Sequence, residues 1–140
     1  MEYRINLDRM EFHAYHGCYD LEQQVGNHFT VDLELTTELG AVAEKDDVRL
    51  AVNYLTVYEI VREQMKIKQR TIERVATNII TAIDSAFPQV SKVRCTVTKV
   101  APPLGGKVGA VSVTLEADNL AQFATLHLRN WRANRKKEQK

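Results

Sequence analysis

Three short runs in this chain alternate apolar and polar residues with a period of two. They constrain the fold more than any other feature of the sequence. Phe29, Val31, Leu33 and Leu35 alternate with Thr30, Asp32, Glu34 and Thr36. Val93, Cys95 and Val97 alternate with Arg94, Thr96 and Thr98, and Val111, Val113 and Leu115 alternate with Ser112, Thr114 and Glu116. Successive side chains of a strand point to opposite faces, so each run predicts a strand with one buried face. An earlier run is less regular: Tyr3, Ile5 and Leu7 occupy odd positions, but Met10, Phe12 and Ala14 occupy even ones. One extra residue reverses parity in this way, which predicts a β-bulge near Asp8–Arg9.

Helical spacing fills the middle of the chain. Val57, Ile60, Val61 and Met65 share one face, and Thr56 followed by Glu59 has the form of a capping box. Ile72, Val75, Ala76, Ile79, Ile80, Ile83, Ala86 and Phe87 make a wider apolar stripe. Thr71 can cap that helix, and Pro88 cannot continue it. Gly105-Gly106, after Pro102-Pro103, marks a turn between the last two strands. The order ββααββ predicts an α+β fold, a four-stranded antiparallel sheet with two helices on one face. Such a sheet has two open edges, and pairing edges between copies of the chain would cover them.

A length of 140 residues suits one domain, but the charge is unevenly divided. Residues 1–117 carry 13 Lys+Arg and 16 Asp+Glu, a net −3, whereas 118–140 carry six and two, a net +4. The reading is a domain over 1–117 and a basic C-terminal extension over 118–140, partly helical or disordered. Leu120, Ala124, Leu128 and Trp131 fit a helical stripe there, ahead of the basic Arg132–Lys137. An acidic body argues against a nucleic-acid partner. No run approaches the ~20 apolar residues of a membrane span, and the N-terminus does not read as a signal peptide. A cytoplasmic location follows, with Cys18 and Cys95 reduced.

Few residues stand out as carriers of chemistry. Lys99 continues the inward parity of Val93, Cys95 and Val97. An amine aimed at an apolar face loses solvation, which disfavours its charged form and suits it to proton transfer; the alternative is a strand-end lysine that snorkels to water. Glu22 falls in a loop between the first two strands, where a carboxylate either accepts protons or is a solvated charge. Glu73 lies in the first turn of the second helix. There it complements the helix dipole, or its two oxygens accept paired N–H donors of a planar heterocycle. Tyr54, just ahead of the first helix, is a proton relay or a packing residue with a wet tip. His13, His16 and His28 invite a metal reading, but His13 and His16 are three apart on an extended strand and so face opposite sides. No metal site and no cofactor are expected.

Taken in order, Phe12-His-Ala-Tyr-His-Gly17, Glu22 with Val25-Gly26, Phe29-Thr-Val-Asp-Leu33, Asp46-Asp-Val48, Val52-Asn-Tyr54, Ile72-Glu73 and Thr98-Lys99 with Pro102-Pro103 resemble the bacterial dihydroneopterin aldolase family. The resemblance covers residues 3–117 and implies the tunnelling fold, with subunits pairing edges into a β-barrel. It implies an aldolase of folate biosynthesis that splits 7,8-dihydroneopterin into 6-hydroxymethyl-7,8-dihydropterin and glycolaldehyde, with neither metal nor Schiff base. The roles it implies are catalytic for Lys99, Glu22 and Tyr54, the last from a neighbouring subunit. Glu73, Ile72, Val52 and Asn53 would bind the pterin. A homo-oligomer, tetramer or octamer, with sites between subunits is implied as well. The sequence departs from the family pattern at Leu104-Gly105-Gly106, where Ile-Pro-Gly is common, and at Asn53, where histidine is frequent. The alternatives are an epimerase of dihydroneopterin or its triphosphate, a zinc-dependent pterin synthase, and a non-catalytic pterin-binding or nucleic-acid-binding module.

Overall fold

In the computed structural model, residues 1–118 are described. The helical stripe and basic end expected within 119–140 lie outside the described residues. Four strands, β1 (Glu2–Ala14), β2 (Asn27–Glu38), β3 (Val90–Val100) and β4 (Ala110–Asp118), pair antiparallel in chain order. The expected bulge is present. The β1–β2 register shifts between Leu7 and Met10, and Arg9 adopts a φ of +52°. The left-handed region disfavours a residue with a Cβ, and an anchor offsets the cost here: the Arg9 amide donates to Asp32 Oδ1 at 2.8 Å. The bulge keeps Met10 and Ala14 on the same buried face as Phe29 and Val31.

Three short elements were not expected: α1 (Asp20–Val25), α2 (Val42–Lys45) and a 3-10 turn at Val48–Leu50. The two long helices, α3 (Tyr54–Lys66) and α4 (Ile72–Ala86), are those the periodicity predicts. Their caps correct one detail. Thr56 lies inside α3, and Asn53 caps it by accepting the Leu55 amide at 3.0 Å. Asn53 is better placed for this because its side chain reaches the second amide of the helix without a helical backbone of its own. Thr71 caps α4 as expected, accepting the Arg74 amide at 3.2 Å.

Val57, Val61 and Met65 of α3 and Val75, Ala76, Ile79, Ile80 and Ile83 of α4 bury one sheet face. Beneath them lie Phe29, Val31, Leu33 and Leu35 of β2 and Val93, Cys95 and Val97 of β3. The third alternating run is less buried than its pattern suggests. In β4 only Ala117 is fully buried, Val113 and Leu115 are half-buried, and Val111 is exposed. β4 is an edge strand with a neighbour on one side only, and Val111 lines an open cleft with Ile72 instead of packing into the core. No helix among the described residues is long and apolar enough to cross a membrane.

Candidate active site

One row of side chains crosses the sheet at its open end. Phe12, Phe29, Lys99 and Val111 are successive cross-strand partners on β1, β2, β3 and β4. Lys99 is therefore the single polar member of an apolar row, as its parity predicts. Its side chain is only 13% exposed, and Nζ lies 5.8 Å from the centre of the Phe29 ring. A buried ammonium needs a partner, and Glu22 supplies it: Lys99 Nζ donates to Glu22 Oε1 at 3.0 Å, across 77 residues of sequence.

Glu22 is not in a loop, as the sequence suggested, but at the third position of α1. That position lets the carboxylate reach back to the helix start, and Oε2 accepts the Tyr19 amide at 3.1 Å. This is one half of a capping box. Burial alone would raise the Glu22 carboxyl. The Lys99 hydrogen bond and charge, with the Tyr19 and Cys18 amides, outweigh burial and hold it below its usual range. The carboxylate is thus ionised, with one oxygen on the lysine and the other fixed by backbone. Gly17 makes room for it: a Cβ there would lie 2.5 Å from Glu22 Cβ and 2.9 Å from Oε2.

The pair forms the floor of a cleft of about 150 Å³ walled by Gly17, Ile72, Pro102, Pro103, Leu104 and Val111. Its walls are mostly apolar, with the Lys99–Glu22 pair among a few polar groups, a composition suited to a flat heterocycle. Arg70 and Tyr19 also line it. Arg70 donates to the Cys18 carbonyl at 3.2 Å and to Asp20 Oδ1 at 2.9 Å, which ties the start of α1 to the segment preceding α4. Glu73 follows Ile72 in the first turn of α4, exposed, and no ion pair engages its carboxylate among the described residues. Sequence reasoning assigns no role to Tyr19 or Arg70, and Gly17 enters it only as the end of a motif, without its contact to Glu22. The Tyr19-x-x-Glu22 spacing was the one local signal, masked because tyrosine is not a usual cap.

Lys99, Glu22 and Ile72 are brought together within this chain, with Glu73 adjoining, and the other three residues are not. Val52 is buried in the core, and Asn53 caps α3. Tyr54 is 71% exposed at the opposite end of α3 from the Gln69 contact beside the cleft. Tyr54 and Lys66 are the first and last of the 13 residues of α3, about 18 Å apart at 1.5 Å per residue. His16, one of the histidines considered as a ligand, is buried, with Nδ1 accepting the Gln69 amide at 3.2 Å. Burial and the Lys99 charge push its pKa down to about 4. No group of three or more His, Cys, Asp or Glu residues suited to a metal converges among the described residues.

The sequence model of the FolB dihydroneopterin aldolase family matches residues 5–116. A dihydroneopterin aldolase of Streptococcus pyogenes is 34% identical over 114 residues, covering 81% of this chain and 96% of its own. Among solved structures, FolB from Vibrio cholerae superposes with a TM-score of 0.77 at 27% identity, covering 84% of this chain and 98% of that one. Escherichia coli dihydroneopterin aldolase in complex with neopterin has the same fold, with a TM-score of 0.76 at 22% identity, covering 82% and 98%. This chain is a member of the dihydroneopterin aldolase family, an aldolase of folate biosynthesis.

Proposed function

We propose that the Glu22–Lys99 pair carries out the proton transfers of a retro-aldol cleavage of 7,8-dihydroneopterin. The observation that carries this reading is the 3.0 Å contact between Lys99 Nζ and Glu22 Oε1 at the floor of the cleft. In the reaction a base removes the proton of the 2′-hydroxyl, and the C1′–C2′ bond breaks. Glycolaldehyde leaves, and the electron pair passes through C6 to ring nitrogen N5. N5 takes a proton as the enol forms. C1′ is then protonated and N5 gives its proton back, leaving 6-hydroxymethyl-7,8-dihydropterin. The ring is the electron sink, so the chain must supply protons and a positive charge near N5. Lys99 supplies both, with Glu22 and a water returning the proton.

Glu73 would accept the amide N–H and the amino group of the pterin, with the Ile72 backbone against the ring. Its carboxylate has no competing ion pair among the described residues. Tyr54 would act at the 2′-hydroxyl and the enol from a neighbouring subunit, beside that subunit's Val52 and Asn53. Its exposure and its distance along α3 from the cleft support this. The sheet edges β1 and β4 are the surfaces through which copies would join. Of the described residues lining the cleft, the two cations are Lys99 and Arg70, and both are already paired with carboxylates. That favours an uncharged side chain on the substrate over a triphosphate, and so cleavage over epimerisation of the triphosphate.

Incubation with 7,8-dihydroneopterin should release glycolaldehyde and 6-hydroxymethyl-7,8-dihydropterin in equal amounts. Epimerisation of the triphosphate with no glycolaldehyde would overturn the proposal. Glu73→Gln turns one acceptor into a donor and should weaken neopterin binding about tenfold, the loss of one charge-assisted hydrogen bond.

A further inference from the structure

β3 and the chain running from it into β4 supply Lys99, Pro102, Pro103, Leu104 and Val111 to the cleft, and two further pieces, distant in sequence, complete it. One is the end of β1 with α1, which brings Glu22 to Lys99. The other is the α3–α4 connection with the first turn of α4, which carries Arg70, Ile72 and, adjoining the cleft, Glu73. These pieces meet at one two-way contact. The Gly17 amide donates to the Gln69 carbonyl at 3.0 Å, and the Gln69 amide donates to His16 Nδ1 at 3.2 Å. The His16 ring is 1% exposed. It stands edge-on to Phe29, at 5.2 Å and 75°, and Phe29 in turn lies beneath Lys99.

With Nδ1 accepting, the ring proton sits on Nε2, and Nε2 has no partner among the described residues. A buried, unpaired N–H is unfavourable, and an aliphatic side chain of similar size would avoid it. The polar contact the imidazole makes is therefore the one at Nδ1. Its depressed pKa, about 4, keeps that lone pair free at neutral pH. The Arg70–Asp20 pair also spans the two pieces, but both its side chains are exposed, and such a pair is screened by solvent. The His16–Gln69 contact is the desolvated one.

We propose that His16 is a positioning residue of the active site: through Nδ1 it holds the α3–α4 connection, and with it Ile72 and Glu73, in register with Glu22 and Lys99. The proposal rests on the site function given above, but its structural core is tested separately. His16→Asn keeps an acceptor near the Nδ1 position. His16→Leu removes it, and His16→Gln moves it about one bond outward.

Hydrogen exchange at the Gln69 amide should speed up at least tenfold in the Leu and Gln variants and stay near wild type in Asn. Neopterin Kd and the KM for dihydroneopterin should rise about tenfold in Leu and Gln, with kcat changed less, and Asn should restore most of the loss. If Leu does not fold, Gln carries the same comparison. Asn behaving no better than Gln, or Gln69 exchange unaltered in all three, would overturn the proposal. A wild-type protein that releases no glycolaldehyde would sink the function proposed above, and the exchange experiment would still decide the role of His16.

Discussion

The cleft and the start of α3 differ in how complete they are within one chain. At the cleft, Glu22 has both oxygens engaged, Lys99 is paired, and Gly17 leaves no space to spare. At the start of α3, Tyr54 is 71% exposed, with Val48, Leu50 and Leu55 also exposed nearby in sequence. The described residues of a single subunit therefore set the geometry of its acid–base pair but give its phenol no hydrogen-bond partner. The two regions should answer differently to substitution. Changes at the cleft should act within the subunit that carries them, whereas a change at Tyr54 should act on a neighbour.

The largest effect should come from Lys99→Ala. It removes the proton donor and leaves Glu22 without its cation, so kcat should fall by about 10² to 10⁴. Neopterin Kd should change little, since Glu73 and Ile72 are untouched. A fall in affinity as large as the fall in kcat would mean that Lys99 anchors substrate instead of reacting with it.

Gly17→Ala is subtler, because no positive φ is involved and the nearest atoms a Cβ would meet, at 2.5 to 3.0 Å, all belong to Glu22. Pushing Glu22 off Lys99 should lower kcat/KM about tenfold or more, within the range expected of a misplaced catalytic group. The measurement is steady-state kinetics beside a thermal melt. A large loss of Tm with unchanged kcat/KM would place the strain elsewhere.

The pH dependence of stability sharpens the contrast further, because buried titrating groups lie in the cleft and next to it. His16 has an ordinary pKa of 6.5 when unfolded and about 4 when folded. Between those values the unfolded chain binds a proton that the folded chain refuses. Stability from this group is thus full above pH 6.5 and is lost as pH falls toward 4, by about 3 kcal/mol in all. Glu22, also held below its ordinary value, loses its contribution in the same direction at lower pH. Denaturant titrations from pH 7.5 to 4 should show the decline, and His16→Asn should flatten it above pH 5. A wild-type curve as flat as the variant would contradict the burial argument.

The smallest effect should follow from removing residues 119–140, which lie beyond the family match at 5–116. kcat/KM should remain within about twofold, since every residue assigned to the site lies within that match. Loss of activity would draw the extension into catalysis.

What the sequence disclosed follows from how far its signals reach. Parity reports which face a strand residue takes, so Lys99 among apolar neighbours was readable, and so was the Arg9 bulge. Helical periodicity located α3 and α4, and Thr71 announced its cap. Glu22 was misplaced because α1 is only six residues long, too short to display periodicity, and its cap is a tyrosine. The Glu22–Lys99 contact itself spans 77 residues and leaves no local trace; the family resemblance, not the pattern, suggested it. His16 was weighed as a metal ligand because composition cannot tell an imidazole facing a metal from one facing a backbone amide. The exposure of Val111 was missed for a related reason, since alternation reports a face but not whether anything covers it.

The central claim is that each site joins the Glu22–Lys99 pair of one subunit to the Tyr54 of another. Lys99→Ala and Tyr54→Phe proteins, each nearly inactive, can be unfolded together and refolded as mixed oligomers. If sites are shared, half of them receive an intact lysine, and half of those an intact tyrosine, so activity should return to about one quarter of wild type. Activity that stays at the sum of the two parents, in a mixture verified to contain hybrid oligomers, would contradict the account.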